Sequence, residues 1–457
     1  MANPTSKRFI TVDYEKTLEL TVCLRECLPL DYLARFVVDT IALLDLKCIY
    51  VHYGERGGKA YAPEILLGLL FYGYATGVFS SRKIEEKTLE SIPFRYIAGG
   101  MHIDYDAVAV FRKTFLPEMA ELFVQIVLLA HAAGVLKIGH ISLDGTKIHA
   151  DASKSKAVSY KRLGELEQRL HQEMEELLAL AEQADQIELP DGMVIEDGIT
   201  FRKNCLTNLA EAKAVLEARA QDRYETEQAE YQAKMRAREE KAQRTRRKPR
   251  GCVPQPPVPG PRDKDQYNFT DPESRIMKNS TDGGFNQHYN VQVTVDQDSF
   301  LILSNTLSNH PSDYGQAIPT LDAIPAKLGK SEAAALDNGY FSESNITAIE
   351  DRGIDPYVAT GREPHHRNWK TYFVEHPAPP PQDASPTAKI AYKLRTEIGK
   401  AIYRLRKCTI EPVIGIIKEV LGFRQFSLRG ITAAAGEWCL VCSAFNLKRF
   451  HKLLIAC

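Results

Sequence analysis

"HISLDGTKIHADASKSKAVSYKRL", residues 140–163, decides how the chain is read. It opens as a short apolar strand and reaches a lone carboxylate at Asp144. Gly145 follows, and then a tail rich in lysine and serine. An acid at a strand end can hold a cation, and the basic residues behind it can hold an anion. The same grammar returns in "SEAAALDNGYFSESN", where small apolar residues end on Asp337 and a glycine-containing turn.

Working outward, residues 1 to about 135 carry dense apolar residues without strand alternation, which predicts a helical region. "SSRKIEEKTLES" offers a serine cap with Glu85 and Glu86 early in a helix. A break at Gly99-Gly100 precedes a further helix bearing Arg112 and Lys113. Such a region suits DNA binding or dimerisation. After the first strand, Leu163, Leu166, Leu170, Met174, Leu177 and Ala181 form an apolar helical seam. A second long helical pattern follows, with Leu206, Leu209 and Leu216, ending in "MRAREEKAQRTRRKPRG" and "VPQPPVPGP". The expectation is a helical hairpin running out into a flexible, basic, proline-rich linker. Arg244, Arg246, Arg247, Lys248 and Arg250 are available there for phosphates or for solvent.

Strands resume near 287. Tyr289, Val291, Val293 and Val295 alternate with polar residues before a "DQDS" turn, which predicts a β-hairpin. "GIDPYVAT" reads as another strand, 388–418 as helix, and the C-terminal end as an apolar helix closing the core. The predicted fold is mixed α/β, with the divisions 1–135 (helical), 136–160 (start of the core), 161–260 (inserted hairpin and linker) and 261–457 (rest of the core).

Composition narrows the function. The chain has 457 residues, 26% charged, with a formal net charge of -1. There is no global cationic field, so any nucleic-acid contact comes from local basic patches. The start, MANPTSKRF, has no apolar segment of the secretory kind, and no apolar run reaches membrane-spanning length. Nine irregularly spaced cysteines fit reduced thiols and a cytoplasmic setting. Cys439 and Cys442 form a C-x-x-C without a second ligand pair, so core helix positions are expected.

Three acids carry the chemistry. Asp144 and Asp337 at neighbouring strand ends repel unless a cation lies between them. Mg2+ (or Mn2+) suits hard oxygen ligands. Glu411 is read as opening a helix, with Pro412 in its first turn, and Glu411, Gly415 and Lys418 then share one face. Three carboxylates can hold two metal ions about 3.5 to 4 Å apart for in-line phosphodiester attack.

The blocks "ISLDGTKIHADASKSKAVSY", "DPESRIMKNSTDGGFNQHYNVQVTVD", "ALDNGYFSE", "YRLRKCTIEPVIGIIKEVLGFRQFSLRG" and "GEWCLVCSAFNL" resemble the bacterial insertion-sequence transposases of the DDE class. "YAPEILLGLLFYGYATGVFSSRKIEEKTLESIPFRYIAGG" is similar to that family's helical N-terminal domain. The resemblance spans about residues 60–455 and is thinnest over 160–260 and 361–390. It implies an RNase-H-like core with catalytic, metal-holding Asp144, Asp337 and Glu411. It also implies double-stranded DNA with terminal inverted repeats as substrate, a homodimeric synaptic complex, and action in the bacterial cytoplasm at the nucleoid. The first two acids are 337 − 144 = 193 residues apart, which the inserted hairpin explains.

Related families carry Tyr, two residues, Arg, three residues, Glu, six residues, Lys. Glu411 and Lys418 fit that signature. Lys407 stands at the arginine position, and Arg404 at the tyrosine position, one residue from Tyr403. Arg404, Arg406, Lys407 and Lys418, then Arg275 and Lys278, are the expected DNA contacts. His288 and the His365-His366 pair are left outside the catalytic set. The alternative reading is a catalytically silent, transposase-derived DNA-binding protein.

Overall fold

The computed structural model describes residues 23–53, 60–183, 195–245, 251–279, 283–361, 379–381 and 384–456. Arg246, Arg247, Lys248, Arg250, His365 and His366 lie outside the described residues. The chain divides into two compact units, Met1–Lys137 with Leu440–Cys457, and Ile138–Cys439.

The first unit is helical: α1 (Leu33–Ile41), α2 (Lys47–Tyr50), α3 (Pro63–Ala75), α4 (Ser81–Glu90), α5 (Ile92–Ile97), α6 (Tyr105–Thr114) and α7 (Met119–Ala132). Helix α3 starts at Pro63, whose missing N–H costs nothing in a first turn. It is buried without a break from Leu66 to Ala75, as an all-round apolar helix must be. Gly68 is required there, because a Cβ would stand 2.8 Å from the Ile97 side chain. Lys448 Nζ donates to the Ala75 carbonyl at 2.9 Å and closes the C-terminal end of α3.

Two details differ from the sequence expectation. Ser80 stands at the N-terminus of α4, but its hydroxyl makes no capping bond. Asp104 does cap α6, accepting from the Asp106 N–H. Arg112 turns inward, donating to the Tyr74 hydroxyl and the Phe79 carbonyl, each at 3.0 Å. Among the described residues no single helix is long and apolar enough to cross a membrane.

The second unit is built on a mixed sheet. Its elements run β1 (His140–His149), β2 (Ala157–Ser159), α8 (Tyr160–Gln183), α9 (Ile195–Thr245), β3 (Gln266–Asn268), β4 (Arg275–Lys278), β5 (Phe285–Asp296), β6 (Ile302–Ser308), α10 (Ala317–Asp322), β7 (Ala333–Leu336), α11 (Glu343–Asp351), β8 (Asp355–Val358), α12 (Pro386–Lys393), α13 (Glu397–Gly415) and α14 (Ile431–Ala456). The last of these contributes its final residues, from Leu440, to the first unit.

Strands β6, β5 and β1 pair antiparallel, and β1, β7 and β8 pair parallel, with β4 on the first residues of β5. Three antiparallel strands followed by two parallel ones give the RNase-H-like order expected from the sequence. Helix α13 covers one face. Its buried residues Gly399, Ile402, Arg406, Thr409 and Val413 step by three and four along one helical stripe, with Ile410 buried beside it. Ile402 packs with Ala333, Ala335 and Tyr357, and Thr409 shares a 2.9 Å hydrogen bond with Ser142 of β1.

Strand β1 does not end at Asp144. It continues to His149, paired with β5 throughout. Only its parallel pairing with β7 stops, at Leu143 opposite Leu336.

The insertion is the expected helical hairpin. Lys213 pairs with Glu167, Arg202 with Glu173, and Tyr160 with Glu217, so the two helices run antiparallel. Leu163, Leu209, Ala212 and Leu216 form its buried core, and Ala181 is exposed. Helix α9 has 51 residues, about 76 Å at about 1.5 Å per residue. The proline-rich stretch is not a free linker. Arg238 donates to the Gly251 carbonyl (3.0 Å) and Arg223 to the Gly260 carbonyl (3.1 Å). The stretch therefore runs back along α9. Proline suits this role, because an extended chain without internal hydrogen bonds loses little entropy when laid on a helix.

Leu163 is 0% exposed at the root of the hairpin. Leu163→Ala is expected to cost about 2–5 kcal/mol. Hydrogen exchange should then quicken in α8 and α9 while β1 and β5 stay protected. Uniform loss of protection would contradict a separate hairpin core.

Candidate active site

The register of the sheet makes the site. Leu143 lies beside Leu336 in parallel strands, so Asp144 and Asp337, the next residues of each, emerge side by side. Asp337 begins the short turn Asn338–Tyr340; its carbonyl accepts the Tyr340 N–H at 3.2 Å, but its side chain makes no capping bond and is 50% exposed. Asp144 is 22% exposed. Its Oδ1 accepts the Gly145 N–H at 2.8 Å, and its Oδ2 accepts Arg406 Nη1 at 2.8 Å. The other arm of Arg406, Nη2, lies 3.5 Å from Asp337 Oδ1. One guanidinium, 4% exposed, thus bridges both acids.

Electrostatics follow from burial. Burial raises the Asp144 carboxyl to about 6; Arg406 and the Gly145 N–H pull it down, and Asp337 and Asp313 push it up. Burial opposes the charge of Arg406, but Asp144, Tyr403, Asp337 and Glu411 more than offset this and raise its pKa. The Tyr403 ring lies 5.6 Å from the guanidinium carbon.

Glu411 does not open a helix. It lies well inside α13, and Pro412 is an interior proline. Its side chain is exposed and makes no hydrogen bond or ion pair among the described residues. It is near enough for Arg406 to feel its charge. After Gly415 the helix widens into a π-helical turn, Ile416–Val420, which changes the angular step along the helix. Lys418, in that turn, donates to Thr146 Oγ1 at 2.6 Å. Thr146 is two residues beyond Asp144 and so on the same face of β1. Burial lowers the Lys418 pKa.

The other expected cations divide into two groups. Arg404, Lys407 and Lys278 are exposed. Arg275 is turned inward, donating to the carbonyls of Pro272, Glu273 and Ser274 at 2.9–3.0 Å. Burial lowers its pKa to about 10.

Sequence reading missed Asp313. It sits in the loop after β6, where "HPSDYG" reads as an ordinary turn. Asn290 and Gln292 both donate to its Oδ1 at 2.8 Å. Gln292 also accepts from the buried Tyr340 hydroxyl. This network explains Gly145: a Cβ there would stand 2.2 Å from Gln292 Nε2, which is held in place from several sides.

The donor chemistry fits a hard divalent cation such as Mg2+ or Mn2+. Two carboxylates lie side by side, and a full positive charge already bridges them. Asp144 and Asp337 are the residues that would hold it. No group of three His, Cys, Asp or Glu closes around one point among the described residues. His288, 2% exposed, stacks on His149 with ring centroids 4.3 Å apart. Burial, with His149, Lys147 and Lys418 nearby, lowers its pKa to about 4 against a hydrogen bond to the Asn286 carbonyl.

Two family models match the chain. "Transposase domain (DUF772)" matches residues 22–114, and "Transposase DDE domain" matches residues 381–451. The second match holds Arg406, Glu411 and Lys418; Asp144 and Asp337 lie outside it. No curated protein and no solved structure matches. Together the two matches support an insertion-sequence DDE transposase.

His288 sets an expected pH response. An unfolded histidine binds its proton near 6.5, and this one near 4. Between those values the unfolded state holds more protons, so stability falls as pH falls through the window. Asp144, raised in the fold, acts with the opposite sign over a similar window, so the comparison of parent with variant isolates His288. His288→Gln should remove an acid sensitivity of up to about 3 kcal/mol. Thermal melts from pH 7 to 4 check this, and equal slopes in parent and variant would refute it.

Proposed function

We infer from these transposase-family matches and the paired acids of the sheet that the chain is a metal-dependent DNA transposase. It cuts DNA at the terminal inverted repeats of an insertion sequence and joins the freed ends to a target by in-line phosphodiester attack. The observation that carries this reading is the side-by-side placement of Asp144 and Asp337.

Asp144 and Asp337 would hold Mg2+ or Mn2+, with Glu411 completing the set from α13. Bound there, the ions would activate a water or a 3′-hydroxyl and stabilise the leaving oxygen. The chain's own residues prepare that chemistry. The Gly145 N–H and Arg406 each hold one oxygen of Asp144, which fixes the carboxylate plane. Lys418, tied to Thr146, sets a positive charge on the same face of β1. Arg404, Lys407 and Lys278, all exposed, would take phosphates of double-stranded DNA. Lysine at position 407 gives up the two-pronged phosphate grip of arginine and acts as a point charge. Arg406 and Arg275, bonded inward, contribute through the residues they hold.

Two copies of the chain would act together, one for each end of the element. The helical region at 1–135 would take part in DNA binding or dimerisation, with action in the cytoplasm at the nucleoid. The core then comprises 136–160 and 261–457, with 161–260 inserted.

The test is cleavage of a short linear DNA carrying both terminal repeats, with Mg2+ and with excess chelator. Cutting is expected only with the metal. Asp144→Asn is expected to lower cleavage by at least about a thousandfold, because it removes an anionic ligand that would hold the metal at the reacting phosphate. DNA affinity of the same variant should change little. Cutting at the parent rate by Asp144→Asn would overturn the site. DNA binding with no cutting by the parent protein would favour the silent DNA-binding alternative.

A further inference from the structure

We propose that Arg406 is a tethered counter-cation: it holds Asp144 and Asp337 together before divalent metal binds and lets go of Asp337 when metal arrives. The inference rests on the metal-dependent reading above.

Three observations carry it. The guanidinium occupies the position between two carboxylates where their shared negative charge is strongest. It is 4% exposed, which is costly for a charge unless its partners are close. Its grip is uneven. The contact with Asp144, the more buried acid, is 2.8 Å, whereas that with the half-exposed Asp337 is 3.5 Å. Asp337 is thus the end that opens to solvent and yields first.

The guanidinium is also not fully satisfied where it sits. Among the described residues its Nε is buried without a hydrogen-bond partner. The guanidinium already sits over the Tyr403 ring, 5.6 Å from its centroid, and that contact can keep holding the cation once Asp337 is released. Metal and guanidinium then compete for the same carboxylate charge. Like charges on Asp144 and Asp337 are neutralised at every stage, first by the side chain and then by the ion.

The experiment has two arms at pH 8. In the first, Arg406 of the parent protein is labelled with phenylglyoxal, with and without saturating Mn2+, and labelled peptides are quantified by mass spectrometry. Arg406 should label slowly without metal and several times faster with it. The exposed Arg404 should label equally in both. In the second, Mn2+ affinity is measured by electron paramagnetic resonance for the parent, Arg406→Lys and Arg406→Gln. Removing a positive charge this close to the ligands should tighten Mn2+ binding by about tenfold or more, with the lysine variant between. The metal-free Arg406→Gln protein should melt lower than the parent, and Mn2+ should narrow the gap.

If Mn2+ binds the parent but neither Arg406 labelling nor variant affinity changes, this proposal falls and the metal site stands. Weaker Mn2+ binding by Arg406→Gln has the same meaning. If the parent binds no Mn2+, the metal-dependent reading falls and takes this one with it. Should the variants fail to fold, the labelling of the parent decides alone.

Discussion

Two carboxylates fixed on adjacent strands of a sheet repel each other, and everything near them in this protein answers that repulsion. The register of β1 against β7 leaves no choice of position: once Leu143 faces Leu336, the next residues are neighbours. On the face that α13 covers, β7 presents the small, buried side chains Ala333 and Ala335, over which the helix can lie close. That helix delivers Arg406 between the acids. The same contacts that bury the sheet therefore bring the cation that makes the acid pair tolerable. Breaking a buried pair by removing one partner is costly, commonly about 3–5 kcal/mol, so geometry and charge are coupled.

Much of this was legible in the sequence, and the reasons are local. Short apolar runs ending on Asp144 and Asp337 mark strands, and the alternation from Tyr289 to Val295 marks the hairpin. The stripe through Leu163, Leu170 and Leu177 marks the inserted helix. Three features misled. Asp144 reads as a strand end, but Gly145 continues the strand, kept small by Gln292 from β5. Glu-Pro reads as a helix start, but Pro412 lies within a helix that began at Glu397. The run of prolines reads as flexible, but arginines of α9 hold both its ends. In each case the deciding partner is distant in sequence.

The same holds for the roles of cations. Arg404, Arg406 and Lys407 are near neighbours in one basic run, and nothing in that run separates them. The helical angle does. Arg406 falls on the buried stripe, and Arg404 and Lys407 fall on the solvent side. Arg275 looks like a surface cation beside Lys278, yet it gathers three carbonyls of one tight turn. Asp313 carried no signal, because an aspartate between serine and tyrosine is ordinary loop composition. Its importance comes from Asn290 and Gln292 reaching it from β5.

The hairpin has a kinetic meaning as well. Strands β1 and β5 must pair although well over a hundred residues separate them, and the entropy of closing so long a loop slows folding. Helices α8 and α9 are local and antiparallel, so they can zip early. Once they do, β2 and β3 at their base are drawn into contact, Ala157 against Asn268. The chain ends leaving that base are then already neighbours when β1 and β5 begin to search for each other. The insertion that lengthens the sequence shortens the search.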